Sequence, residues 1–179
     1  MNNSWLLKRL AISLKNSERP EQAINYYEKV LAIDPDNYPL LMSAGECLLS
    51  CKRYEEALQK FYHAQYLNPG NKDSLRAVAW TELLLKNYEK AKSYYEIILN
   101  DIEEVDINDY LNAAHGALAS GDFKSALCLY KTFVEKNDNK DITKLVIAFR
   151  DDSEIIKQLG IKTSDLRLIV DKIRYDLIS

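Results

Sequence analysis

Glycine and proline are scarce in this chain. Five and four of them in 179 residues cannot punctuate a fold that turns every ~8–12 residues, so a strand-rich architecture is disfavoured and helices are expected. Cysteine is scarce too: three, an odd number, do not make a disulfide framework in a chain long enough to bury a core. No apolar run is long enough to cross a bilayer. No basic block is present either, and with a net charge of −3 and both signs interspersed, nucleic acid and anionic membranes are not expected partners. The opening "MNNSWLLKRLAISL" is apolar and basic. Its cations, Lys8 and Arg9, lie inside the apolar segment and no small-residue cleavage site follows, so it does not read as a signal peptide. A cytoplasmic location is expected.

What the chain does have is a repeat. In "YEEALQKFYHAQYLNPGN" a small residue, an aromatic and an apolar residue stand at Ala57, Phe61 and Ala64. Ala23, Tyr27 and Val30 precede them by 34 residues; Ala91, Tyr95 and Ile98 follow by 34, and Ala126, Tyr130 and Phe133 by a further 35. Each trio is introduced by a residue suited to a helix start: Pro20, Tyr54, Tyr88 and Phe123. The preceding halves repeat at helical spacing as well: Leu7, Leu10, Ala11 and Leu14; Leu41, Ala44, Gly45 and Leu48; Leu75, Val78 and Ala79; Tyr110, Ala113, Ala114 and Ala117. Glu82 interrupts the third set, and Leu83 is expected to serve in its place.

These positions resemble the tetratricopeptide repeat family, whose small and aromatic residues recur within 34 residues. The resemblance covers roughly residues 4–140. It implies an all-α fold, a right-handed superhelix of helix-turn-helix repeats at 4–37, 38–71, 72–105 and 107–140, with capping helices over 141–179. Ala57 is expected where the second helix of a repeat crosses its first most closely, and Phe61 and Ala64 are expected to receive the next repeat. Pro69-Gly70-Asn71 ends one repeat as Pro35-Asp36-Asn37 ends another, whereas repeats three and four carry Glu103 and Asp138 instead. The acidic "DIEEVDIND" junction is expected to be the loosest. Beyond residue 140 the period is lost: Ile142, Leu145, Val146 and Phe149 form one helical face, a short helix follows from near Asp152 to Gly160, and Leu166, Ile169, Val170, Ile173 and Leu177 make a last stripe. The face of the first helix has no evident cover, which suits either the C-terminal piece of a longer array, the favoured reading, or pairing with a second copy.

In the family the concave groove lined by first helices binds a peptide or a partner helix. Carried onto this chain, the groove positions are Trp5, Lys8, Arg9 and Ile12; Met42, Ser43, Glu46 and Leu49; Arg76, Ala77, Trp80 and Leu83; and Leu111, Asn112, His115 and Leu118. Aromatic, Met and Arg residues are the types enriched at binding hot spots; for Trp80, packing between helices stands equally beside partner contact. The carboxylate clamp of heat-shock co-chaperones is matched only at Lys8. Ile12, Ser43, Asp73 and Ala77 depart from it, and Asp73 has the wrong charge.

Chemistry is poorly represented. His63 and His115 fall in different repeats, and neither has a nucleophile at a telling spacing. Cys47 and Cys51 share a helical turn but lack the second pair that closes a zinc site, and Cys128 reads as a packing residue. "GALASGDFKS" misplaces the lysine of a phosphate loop and puts Asp122 where an anion would sit, so Gly121 reads as a turn residue. No cofactor, metal or catalytic activity is expected. The expected function is a non-catalytic scaffold that binds a partner protein or peptide. A holding chaperone, similar to those of type III secretion, and an oligomeric subunit joined through the N-terminal helix are the alternatives.

Overall fold

The computed structural model describes residues 4–101, 105–137 and 141–178. Its helices, in order, are α1 (Ser4–Asn16), α2 (Pro20–Leu31), α3 (Tyr38–Ser50), α4 (Tyr54–Leu67), α5 (Lys72–Leu84), α6 (Tyr88–Asp101), α7 (Ile107–Ala119), α8 (Phe123–Lys136), α9 (Ile142–Asp151), α10 (Ser153–Leu159) and α11 (Thr163–Ile178). Among the described residues there is no strand. The second helices begin at Pro20, Tyr54, Tyr88 and Phe123, where the sequence placed them. Glu103, Asp138 and most of the acidic junction's centre lie outside the described residues.

One backbone device closes every hairpin. The second residue after each first helix adopts the left-handed conformation, at Glu18 (φ 55°), Lys52 (φ 58°), Lys86 (φ 62°) and Gly121 (φ 88°). The next amide then reaches back five residues, Arg19 to Leu14, Arg53 to Leu48, Asn87 to Glu82 and Asp122 to Ala117. This is the Schellman arrangement that satisfies the last carbonyls of a helix. Three of the four turns place a side chain where glycine is the usual choice.

The chain forms two units, Met1–Thr81 and Glu82–Ser179. In the first, α1 packs on α2, α2 on α3 and α3 on α4. Ala11, Ala23, Tyr27, Ala44, Ala57, Phe61 and Ala64 are fully buried. Phe61 lays its ring over Gly45 of its own repeat: a Cβ built there would meet the ring at 2.3 Å. The sequence reading assigned Phe61 to the next repeat, but glycine at the crossing lets α4 bring the ring down onto α3. Asn37 caps α3, its side chain accepting from the Leu40 amide at 3.3 Å. Asn71 does the same for α5, accepting from Asp73 and Ser74 at 2.9 and 3.2 Å and from the Tyr38 hydroxyl at 2.7 Å.

In the second unit α7 packs on α6 and α8, α9 on α8, and α11 on α8 and α9. Glu82, the residue out of pattern, is buried without being a misfit. Its carboxylate accepts from Asn87 Nδ2 at 2.6 Å and lies 3.6 Å from the Lys90 ammonium. It thereby braces the α5–α6 turn, while the adjacent Leu83 fills the apolar role. Asp106 and Asp109 form a capping box at the start of α7, and Asp141 caps α9 by accepting from the Thr143 amide at 2.8 Å. First-helix caps thus stand at Asn37, Asn71, Asp106 and Asp141, so the period survives one cap further than the sequence reading placed its end.

Candidate partner-binding surfaces

The first unit exposes apolar and cationic side chains on α1. Trp5 is 67% exposed and Ile12 40%, and the Arg9 guanidinium sits 5.4 Å from the Trp5 ring centroid. An arginine held over an indole is a preorganised pair that a partner can meet as one surface. Lys8 and Met42 are half-buried beside this patch in the sequence register, and Glu46 is exposed. Lys15 and Glu46 are joined by an ion pair that links α1 to α3. Burial lowers the Lys15 pKa, but the hydrogen bond and charge of Glu46 outweigh it and hold the ammonium above its usual value. On α5, Arg76 and Trp80 are half-buried, with Arg76 4.0 Å from Asp73.

The second unit treats its share of the expected groove differently. Leu83, Leu111 and His115 are buried, and Asn112 is half-buried. His115 is fully enclosed and both ring nitrogens are engaged, Nδ1 with the Tyr130 hydroxyl at 2.6 Å and Nε2 with Asp152 at 3.2 Å. Phe149 closes the cluster: its ring stands edge-on to Tyr130 at 5.1 Å and lies 6.1 Å from His115. Burial, then the nearby Asp152 charge, pushes the Tyr130 phenol well above its ordinary range. The helix α10 is tied back to the α5–α6 turn, with Gln158 donating to the Leu84 carbonyl and Tyr88 to the Leu159 carbonyl, both at 3.5 Å. His115 is therefore a structural contact for the C-terminal helices, a role its sequence neighbours could not reveal because Asp152 lies 37 residues away.

His63 pairs with Asp36 at 2.8 Å. Cys47 is buried and Cys51 partly so, and burial pushes both thiols up, away from the reactive thiolate. Cys128, expected to pack, is exposed on α8. Among the described residues no group of three His, Cys, Asp or Glu side chains is placed to hold a metal ion, and no helix is long and apolar enough to cross a membrane.

A family model described as tetratricopeptide repeat matches residues 16–59. The DnaJ homolog subfamily C member 3 of Rattus norvegicus is 30% identical over 91 residues, which is 51% of this chain and 18% of that protein. Superkiller complex protein 3 of Homo sapiens is 30% identical over 112 residues, 63% of this chain and 7% of that one. The chain therefore spans less than a fifth of the length of either curated relative. Among solved structures, MamA 41-end from Desulfovibrio magneticus RS-1 matches with a TM-score of 0.71 at 14% identity, over 100% of this chain and 99% of that one. PilF of Pseudomonas aeruginosa matches at 0.63 and 23% identity, over 96% and 73%. YrrB, described as a TPR protein with an unusual peptide-binding site, matches at 0.64 and 18%, over 95% and 86%. At these identities the likeness is one of fold: an all-α solenoid of helix-turn-helix repeats.

Proposed function

We propose that this chain, which belongs to the tetratricopeptide repeat family, is a non-catalytic scaffold that holds a peptide segment or helix of a partner protein on its first-helix surface. Within the first unit that surface is built from Trp5, Lys8, Arg9 and Ile12 on α1 with Met42 on α3; Arg76 and Trp80 on α5 are the further recognition residues. The observation that carries the reading is the exposed Trp5–Arg9 pair beside Ile12. A large aromatic left in water is the kind of side chain that anchors an interface once desolvated. The peptide-binding description of YrrB, a protein of the same fold, supports the same class of ligand.

The test is capture from a lysate with this chain and with a Met42→Glu/Trp80→Ala variant of unchanged helicity, followed by titration of the captured partner against both and against Trp5→Ala. Partner affinity falling by about tenfold or more on any of these supports the groove. Equal affinity for all three refutes it.

A second reading has its own observation. Leu6 (51% exposed) and Leu10 occupy on α1 the places that Leu40 and Ala44, both buried, occupy on α3. Self-association through this face would give a scattering mass that rises with concentration and that Leu6→Glu/Leu10→Glu reduces to the monomer. A wild-type mass independent of concentration removes this reading.

A further inference from the structure

We infer a second docking site, on the other unit: the cleft between α9, α10 and α11, fitted to an acidic amphipathic segment of a partner protein. It does not depend on the surface of α1 and α3.

The cleft begins with a side chain out of register. Asp141 caps α9 as Asp106 caps α7, so α9 continues the first-helix register. In that register Leu145 follows Tyr110, and the crossing position held by Ala11, Gly45 and Ala114 falls on Phe149. A small residue there lets the second helix of a hairpin close down, as Phe61 does over Gly45. Phe149 puts a phenyl ring at that position, T-shaped to Tyr130 and tilted against His115. With a ring at this position α9 lacks the small residue that permits the closest crossing. The chain instead makes the seven-residue α10, turns at Gly160 in the left-handed conformation (φ 77°) and returns as α11.

A cleft of about 790 Å³ is left along α9, within the size range of binding pockets, about 300–1,000 Å³. Val146, Phe149, Ile156, Ile161, Leu166 and Val170 give it an apolar lining, and Val146 is 44% exposed. Its charged residues are Arg150, Lys157, Arg167 and Asp171. Asp171 has Arg174 at 3.9 Å, and among the described residues Arg150 has only its exposed neighbour Asp151 at 3.5 Å. Lys157 and Arg167 are exposed and form no ion pair among the described residues. An apolar floor with three cations around it and one carboxylate, itself already paired, selects a ligand that presents an apolar stripe flanked by carboxylates. A basic segment would be repelled, and a neutral one would gain nothing from the cationic rim.

The test pans a random dodecapeptide library, displayed on phage, against the full chain and against Arg150→Glu/Lys157→Glu/Arg167→Glu. These three side chains are exposed, and helicity of the variant is verified by circular dichroism. The expected result is enrichment of Asp- and Glu-rich peptides with apolar residues at helical spacing on the wild type alone. The strongest such peptide, synthesised, should lose about tenfold or more in affinity on the triple variant and with its Glu residues changed to Gln. It should also shift the methyl resonances of Val146, Ile156, Ile161 and Val170 of the wild type. Three results overturn the assignment: no enrichment, enriched peptides without acidic bias or with equal affinity for the variant, or methyl shifts confined to α1 and α3.

Discussion

Replacing Gly45 by alanine should destabilise the protein, although alanine is the better helix former and stands at the same place in the neighbouring hairpin. In a helix interior Gly→Ala ordinarily gains about 1 kcal/mol. Here the new Cβ would sit 2.3 Å from Phe61 Cε1, 2.6 Å from Cζ and 2.8 Å from Cδ1, well inside contact distance, against a ring that is itself fully buried. The ring has no solvent to swing into, so α3 and α4 must separate. Overpacking of this kind costs about 1–3 kcal/mol, and so severe an overlap puts it near the upper end. Set against the propensity gain, the net loss is about 1–2 kcal/mol, or about 2–8 °C in Tm for a chain of this size. Gly116 is the internal control. Its Cβ would meet only Leu83 Cδ1 at 3.4 Å, an ordinary contact with a movable methyl, so Gly116→Ala should stabilise by up to about 1 kcal/mol. Urea denaturation of both variants and of Gly45→Ala/Phe61→Leu, in which the smaller side chain should return most of the loss, measures all three. If Gly45→Ala matches or exceeds the wild type, Phe61 does not close over α3 as described and the account of the crossing fails.

The turns offer a second test. A left-handed non-glycine residue costs about 1–2 kcal/mol, of which glycine's greater unfolded freedom takes back about 0.5–1; Lys52→Gly and Lys86→Gly should each stabilise by up to about 1 kcal/mol, while Gly121→Ala should lose about as much. Urea midpoints that do not move in these opposite directions would contradict the turn geometry. A third test concerns pH. Burial raises the phenol of Tyr95, with the Asp109 charge adding to it, and burial raises that of Tyr130. Below about pH 10 the folded and unfolded chains both keep these protons and stability is unaffected. Above it the unfolded chain releases them first, so stability should fall by up to about 1.4 kcal/mol per pH unit for each tyrosine. The Tyr95 hydroxyl is buried with no hydrogen-bond partner among the described residues, so Tyr95→Phe should be neutral or stabilising at pH 7 and should make the alkaline decline shallower. An unchanged slope in chemical denaturation between pH 9.5 and 11.5 would refute the assignment to Tyr95.

Much of this fold is written in local spacing. Ala23, Ala57, Ala91 and Ala126 mark the second helices because a small side chain at a crossing is a one-residue requirement, readable wherever it recurs. The hairpin turns were not legible: Glu18, Lys52 and Lys86 do the work of glycine, and the backbone bond that holds each turn leaves no trace in residue type. Glu82 was legible as an anomaly but not as a solution, since its partners Asn87 and Lys90 come into reach only once the turn has formed. For the surfaces the same division holds. The exposed Trp5 and Arg9 follow from the register, whereas the enclosure of His115 depends on Phe149 and Asp152, which a reading that ended the period at residue 140 had no reason to bring near it.

Phe149 and Asp152 also explain why the regular pattern stops where it does. One 35-residue step before them stand Ala114 and Ala117, both small, and the hairpin of α7 and α8 closes over them. Exchange those two small residues for a phenyl ring and a carboxylate, and the same register has an obstacle at the crossing and an unmet charge one turn later. The charge is met by His115, which ties the end of α9 to α7, and the ring takes the place of the small residue that a close crossing requires. Two substitutions in an otherwise continuing pattern thus convert a stacking surface into a terminal one. The first-helix face of the second unit is enclosed at His115 by the cap, and new surface opens in the cleft along α9. On the proposed reading, partner binding in this chain is divided by unit: contacts on α1, α3 and α5 in the first, and contacts in the α9–α11 cleft in the second.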